Sequence, residues 1–202
     1  GKYYLDKTKI PVDYTGQIQN GNSSTAHLGT YDYLATPASK VNNGTVSFNF
    51  ERLGCLVQLK IDLVERTTIS NVSVKCGNDA LFVDKGFIDL TSETPQIMTT
   101  KSEDKSNVIN IKTNNLRVAT NETATIYFMM APVNLEGNDL EVVVMEDNGF
   151  TRTFHVTGKN FIAGKAYSYS MALSRENVAT VNVATAGTFS TQIRNNYVDG
   201  EF

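Results

Sequence analysis

Much of what would betray a chemistry is scarce in this chain. Histidine occurs only at His27 and His155, in no metal-ligating spacing such as two histidines on one helical face. The many serines come with no nucleophile-elbow motif. The glycines of residues 158–164 sit between strands, with no helix behind them to receive a phosphate. No catalytic residue, metal site or cofactor is therefore expected. Charged residues make up 19% of the 202 and the net charge is −3. Lys and Arg are scattered, so neither nucleic acid nor an anionic membrane is an expected partner. No apolar run approaches the ~20 residues that span a bilayer, so direct membrane insertion is not expected. No export signal or lipidation motif is present, and the strand-like opening at Gly1-Lys-Tyr-Tyr-Leu5 reads as a mature or trimmed fragment. No segment holds apolar residues at helical spacing over about ten positions, so little or no helix is expected.

What remains is strand. Hydrophobic residues are 41% of the chain, enough to fill one core. The clearest strands run from Ala124 to Pro132, Leu140 to Met145, Phe150 to Val156 and Lys165 to Leu173, rich in β-branched and aromatic residues and bounded by turn formers. At Asn148-Gly149 a tight two-residue turn would oppose Val142 to His155 and mix faces. One extra residue opposes Leu140 to Val156 and Val142 to Phe154, both apolar, which predicts a type I turn with a glycine bulge at Gly149.

Upstream, Val46, Phe48 and Phe50 alternate as a strand, and Arg52-Leu-Gly54 interrupts with a bulge or bend at Gly54. Cys55 shares parity with Val57, Leu59, Ile61 and Leu63; Val72, Val74 and Cys76 alternate likewise. A turn near Glu65-Arg66 is expected to pair these two runs as a hairpin, with Cys55 opposite or diagonal to Cys76. Two readings stay open there: a disulfide in an oxidising compartment, or two buried thiols serving as small hydrophobes. Residues 80–83 and 86–90 read as a shorter hairpin around Asp84-Lys85. Residues 19–24 and 114–121 read as loops.

Glu65, Glu93, Glu103, Asp104, Glu136, Asp139, Glu146 and Asp147 fall mostly at expected turns, where carboxylates are solvated. Asp147 lacks the alternating acidic spacing of a calcium loop. His155 lies mid-strand, where an outward-facing or a satisfied histidine is expected rather than a base. Tyr31, Tyr33, Tyr167 and Tyr169 are candidate ligand-facing aromatics, although at strand spacing such rings more often fill a core.

Four segments carry a family resemblance. Val46-Ser-Phe-Asn-Phe-Glu-Arg-Leu-Gly-Cys-Leu-Val-Gln-Leu-Lys-Ile61 resembles the central strand pair of fimbrillin-like surface proteins of gut and oral anaerobic bacteria, with Tyr31-Asp-Tyr-Leu-Ala35 as its lead-in. Ile126-Tyr-Phe-Met-Met-Ala-Pro132 resembles the family's strand-then-proline element. Gly158-Lys-Asn-Phe-Ile-Ala-Gly-Lys-Ala-Tyr-Ser-Tyr169 resembles its closing element. The likeness spans roughly residues 28–174. It implies an all-β, antiparallel β-sandwich of transthyretin-like Greek-key type. It also implies a non-enzymatic structural or adhesion module, a fimbria subunit or stalk domain. The implied place is the cell surface, outer-membrane-associated or extracellular, and the implied partners are other surface subunits or host and glycan ligands.

The expected organisation is an N-terminal segment at 1–30, a remnant of a preceding β-domain, then the sandwich at 31–174 and an extended tail or linker at 175–202. Val181-Asn-Val-Ala-Thr-Ala-Gly-Thr-Phe-Ser-Thr-Gln-Ile193 resembles the lead-in to a leucine-rich-repeat region of surface proteins. Its alternating Val181, Val183, Phe189 and Ile193 also make it a candidate donor strand for β-augmentation.

Overall fold

The computed structural model describes residues 8–37, 44–173, 179–183 and 187–188. Eleven strands carry the description that follows: β1 Lys9–Asp13, β2 Gln17–Asn20, β3 Cys55–Leu63, β4 Thr67–Cys76, β5 Lys85–Asp89, β6 Val108–Val118, β7 Glu122–Met130, β8 Asp139–Glu146, β9 Thr151–Thr157, β10 Lys165–Leu173 and β11 Ala179–Val183. Only two short 3-10 turns, Leu28–Thr30 and Ser102–Asp104, break the all-β pattern among the described residues.

Two sheets face each other. The first runs β9-β8-β4-β6-β2, and the second β7-β3-β10-β11. Most neighbours are antiparallel; β6 with β2 and β10 with β3 are parallel. Alternation explains the core. Val57, Leu59, Ile61 and Leu63 of β3 and Ala124, Ile126 and Phe128 of β7 meet Val72, Val74, Ile111, Val142, Val144 and Phe154 of the opposite sheet. A smaller cluster lies on the outer face of the second sheet, where Val12, Tyr14, Leu28, Ala35 and Ile88 cover Leu56 and Met129. Residues before position 31 thus contribute both β2 and much of this second cluster.

The register at Asn148-Gly149 is the one expected, Leu140 opposite Val156 and Val142 opposite Phe154. Gly149 has a φ of 86°, which only glycine adopts without cost, and its N–H donates to the Glu146 carbonyl at 3.0 Å. Gly54 forms the expected bend.

Four expectations are corrected. β3 and β4 do not pair: the chain crosses between layers at residues 64–66, and the two runs face each other across the core. Alternation places one apolar face per strand but is equally satisfied by in-plane pairing and by facing across a sandwich. Cys55 and Cys76 accordingly stand in different sheets as free, buried thiols. The hairpin around Asp84-Lys85 is also absent: Phe82–Val83 pairs with Lys105–Ser106, while β5 pairs with β1 and with Ile97–Met98. Residues 114–118 continue β6 through a bulge at Asn115, which takes a φ of 53°. Finally, residues 46–50 join no ladder, and Phe48 and Phe50 are 62% and 59% exposed.

Glu146 departs from the solvated carboxylates expected at turns. It is buried, ion-paired to Arg152 at 2.8 Å, and accepts a 2.7 Å bond from the Thr67 hydroxyl. Burial alone would raise its pKa; the bonds from Thr67 and Arg152 outweigh it and hold the carboxyl below its usual value.

Gly158 is fixed by close approach: a Cβ there would stand 2.3 Å from the Leu135 carbonyl oxygen and 2.9 Å from that of Asn138. Both obstacles are backbone, so Gly158→Ala is expected to lower stability by about 1–3 kcal/mol. Urea unfolding measures this, and an unchanged midpoint would mean that the 135–138 turn yields freely.

Candidate functional site

No group of three or more His, Cys, Asp and Glu among the described residues is placed to hold a metal ion. Burial pushes the Cys55 thiol up to about 12, and its Sγ–H points at the Ile162 carbonyl oxygen, 3.1 Å away. Such a thiol stays protonated and inert at neutral pH. A polar cleft of about 680 Å³ lies at one end of the first sheet, lined by Lys75, Asn78, Asn107, Asp139, Glu141 and His155. There His155 stands opposite Glu141, and Glu141 opposite Lys75, an exposed cross-strand charge row. His155 faces solvent as expected.

The four tyrosines do not form one face. Tyr167 and Tyr169 are core residues. The Tyr167 hydroxyl donates to the Asn160 carbonyl and accepts from the Ile162 N–H, both at 2.8 Å. Tyr169 donates to the Thr157 carbonyl at 3.3 Å. Tyr31 and Tyr33 are half-buried against the second cluster; the Tyr33 hydroxyl is held by Asp13, and its ring meets Tyr14 edge-on at 5.4 Å. The exposed neighbouring rings are instead Phe48 and Phe50, with centroids 6.2 Å apart.

The edges of the second sheet carry the distinctive chemistry. On one side, β11 runs antiparallel along β10, from Leu173 opposite Ala179 to Tyr169 opposite Val183. Gly187–Thr188 continues along the same edge, opposite Ala166 and Lys165. Of the candidate donor residues, Val181 and Val183 lie in this ladder; Phe189 and Ile193 fall outside the described residues.

On the other side, β7 meets no strand beyond β3, yet its outward peptide groups are paired by side chains. Gln17 donates to the Met129 carbonyl at 2.7 Å and accepts from the Met129 N–H at 2.9 Å. Gln19 accepts from the Tyr127 N–H and donates to the Thr125 carbonyl, both at 2.8 Å. Asn22 accepts from the Thr125 N–H at 2.8 Å and donates to the Thr123 carbonyl at 3.0 Å. His27 Nε2 lies 3.0 Å from the Tyr127 carbonyl, a geometry in which the ring donates. Alternate residues of a strand are two rises apart, so Gln17 and Gln19 of β2 match the spacing of the outward groups of β7.

β2 inverts the usual alternation to do this: Gln17 and Gln19 are 0% exposed while Ile18 between them is 39% exposed. Hydrophobic patterning conceals this ladder, because Gln inside and Ile outside run against it. The Gln-Ile-Gln alternation itself was the available signal.

His27 generates a prediction. Its Nδ1 is buried without a partner, and burial lowers the ring's pKa despite the Tyr127 bond, which favours the proton. The unfolded chain therefore takes up the proton first. The contribution of neutral His27 is complete above the unfolded value, about 6.5, and is lost as pH falls below it toward the folded value. Urea unfolding at pH 7 and pH 5 is expected to show a loss of stability that shrinks in His27→Gln; equal losses in both proteins would refute the assignment.

A family model for fimbrillin-like proteins matches residues 3–187. No curated protein matches the chain significantly. Among solved structures, the chain is similar to one described as a cell adhesion protein from Bacteroides ovatus, with a TM-score of 0.56 and 16% identity over 92% of this chain and 62% of that one. It is also similar to a fimbrial protein from Bacteroides vulgatus, at 0.47 and 13% over 74% and 58%. The tip fimbrial protein Mfa3 from Porphyromonas gingivalis follows at 0.36 and 11% over 73% and 55%. At such identities the first likeness concerns the fold alone, and the chain spans less than two thirds of the length of each.

Proposed function

This chain belongs to the fimbrillin-like family, and on that premise we propose that it is a non-enzymatic structural or adhesion module of the cell surface, a fimbria subunit or stalk domain whose copies associate by β-strand addition. The observation that carries the reading is the ladder of residues 179–183 on the edge of β10. Main-chain hydrogen bonds of that kind are indifferent to which chain supplies the strand. The same pairing forms between copies when the segment leaves its own β10 for that of a neighbour. Exposed sheet edges are otherwise a liability, and using one as an acceptor turns the liability into an assembly rule. The partners on this reading are other surface subunits, and the location is outer-membrane-associated or extracellular. No helix among the described residues is long and apolar enough to cross a membrane.

The test is light scattering on the intact chain, on a chain ending at Ser174, and on full-length Val181→Pro and Asn182→Pro. Adjacent residues point their N–H groups to opposite sides, so one of the two prolines removes a donor from the ladder. Concentration-dependent oligomers that vanish on truncation and weaken in one proline variant are expected. Association that survives all of these changes would leave residues 178–193 as a linker toward a leucine-rich-repeat region.

A second reading, a surface module that binds a host glycan or protein, is favoured by the exposed Phe48–Phe50 pair. Phe48→Ala/Phe50→Ala is expected to shift stability by no more than about 0.5 kcal/mol while abolishing retention on a glycan array. Equal retention of variant and wild type would discard that face.

A further inference from the structure

The side of the second sheet opposite its tail strand is closed in an unusual way. From the Thr123 carbonyl to the Met129 N–H, the outward groups of β7 are met by Gln17, Gln19, Asn22 and His27, with the Ser23 N–H adding a bond to the Thr125 carbonyl at 3.1 Å. A primary amide offers the same donor and acceptor as a peptide group. A strand placed there would satisfy β7 equally well but would present a fresh edge of its own. A side-chain amide ends the ladder, because nothing beyond it repeats.

Burying two glutamines completely is costly unless every group is paired, and here the pairing is reciprocal. Glutamine alone fits: asparagine at position 17 is one methylene short of Met129, and glutamate cannot donate to its carbonyl. β2 is held for the purpose by its parallel ladder on β6, Gln17 opposite Ile111 and Gln19 opposite Thr113.

We propose that Gln17, Gln19 and Asn22 form an edge guard, side-chain amides that stand in for a strand and close β7 to edge-to-edge pairing with a second copy of this chain. The guard takes β7 out of the edges open to strand pairing between copies, while β9 and the tail strand β11 lie on the opposite side of the sandwich. This rests on the strand-addition reading and gives it a direction: in the second sheet the β10 edge accepts and the β7 edge refuses. The occupant it refuses is the unpaired β7 edge of another copy, which carries the same exposed sequence of peptide groups once the amides are gone.

The test uses the full-length chain. Hydrogen exchange of wild type is expected to show the amides of Thr125, Tyr127 and Met129 protected although no strand pairs with them. In Gln17→Ala/Gln19→Ala, exchange at Tyr127 and Met129 is expected to rise about tenfold or more, the equivalent of one lost hydrogen bond. Light scattering is then expected to report concentration-dependent dimers in which these amides are protected again. Asn22→Ala, at the half-buried end of the ladder, perturbs folding less and is expected to release Thr125 alone. Wild-type amides at 127 and 129 that exchange like a bare edge would overturn the guard. So would a folded double variant with fast amides that stays monomeric wherever wild type does. The exchange arm reads the seal without any assembly, so its failure is distinct from tail-independent association, which counts against strand addition itself.

Discussion

A peptide group withdrawn from water has to be hydrogen-bonded, and a β-sheet always has two edges where that rule is hardest to meet. In this protein the two edges of the second sheet are met by different means. One is covered by main chain, residues 179–183 and 187–188 along β10. The other is covered by side chains, the amides of Gln17, Gln19 and Asn22 along β7. Much else follows from the second solution. β2 must lie parallel on β6 to aim the amides, and Tyr14 and Leu28 on either side of it join the second apolar cluster on the outer face of the second sheet.

Much of the core was legible in the residues because burial has a period of two in a strand. The parity of Val57 to Leu63, the strand at 165–173 and the register around Gly149 all followed from matching apolar faces. Matching faces cannot say whether two strands lie side by side or one above the other, and there the reading of β3 with β4 went astray. The Phe48 and Phe50 alternation misled for the opposite reason: it has the period of a half-buried strand but no partner and no cover. The glutamine ladder was hidden because its polarity is inverted, and inversion makes sense only once the opposing strand is known.

The buried groups that titrate unusually do so for structural reasons: Cys55 through desolvation, Glu146 through its bonds with Thr67 and Arg152. Tyr167 and Tyr169 spend their hydroxyls on the backbone of the 157–162 connection rather than on a ligand. Polar atoms in this interior fasten loops and edges.

The position of β3 has a further consequence in time. This central strand is flanked by β7 and by β10, with Leu56 paired to Ala166. Both neighbours come from far downstream. A chain emerging from its N-terminus holds β3 with two bare edges until residues 122–130 arrive, and one side stays bare until residues 165–173 follow. Loop closure over such spans is slow, and the long-range pairings that make the finished sandwich cooperative also leave its most apolar strand waiting longest for company.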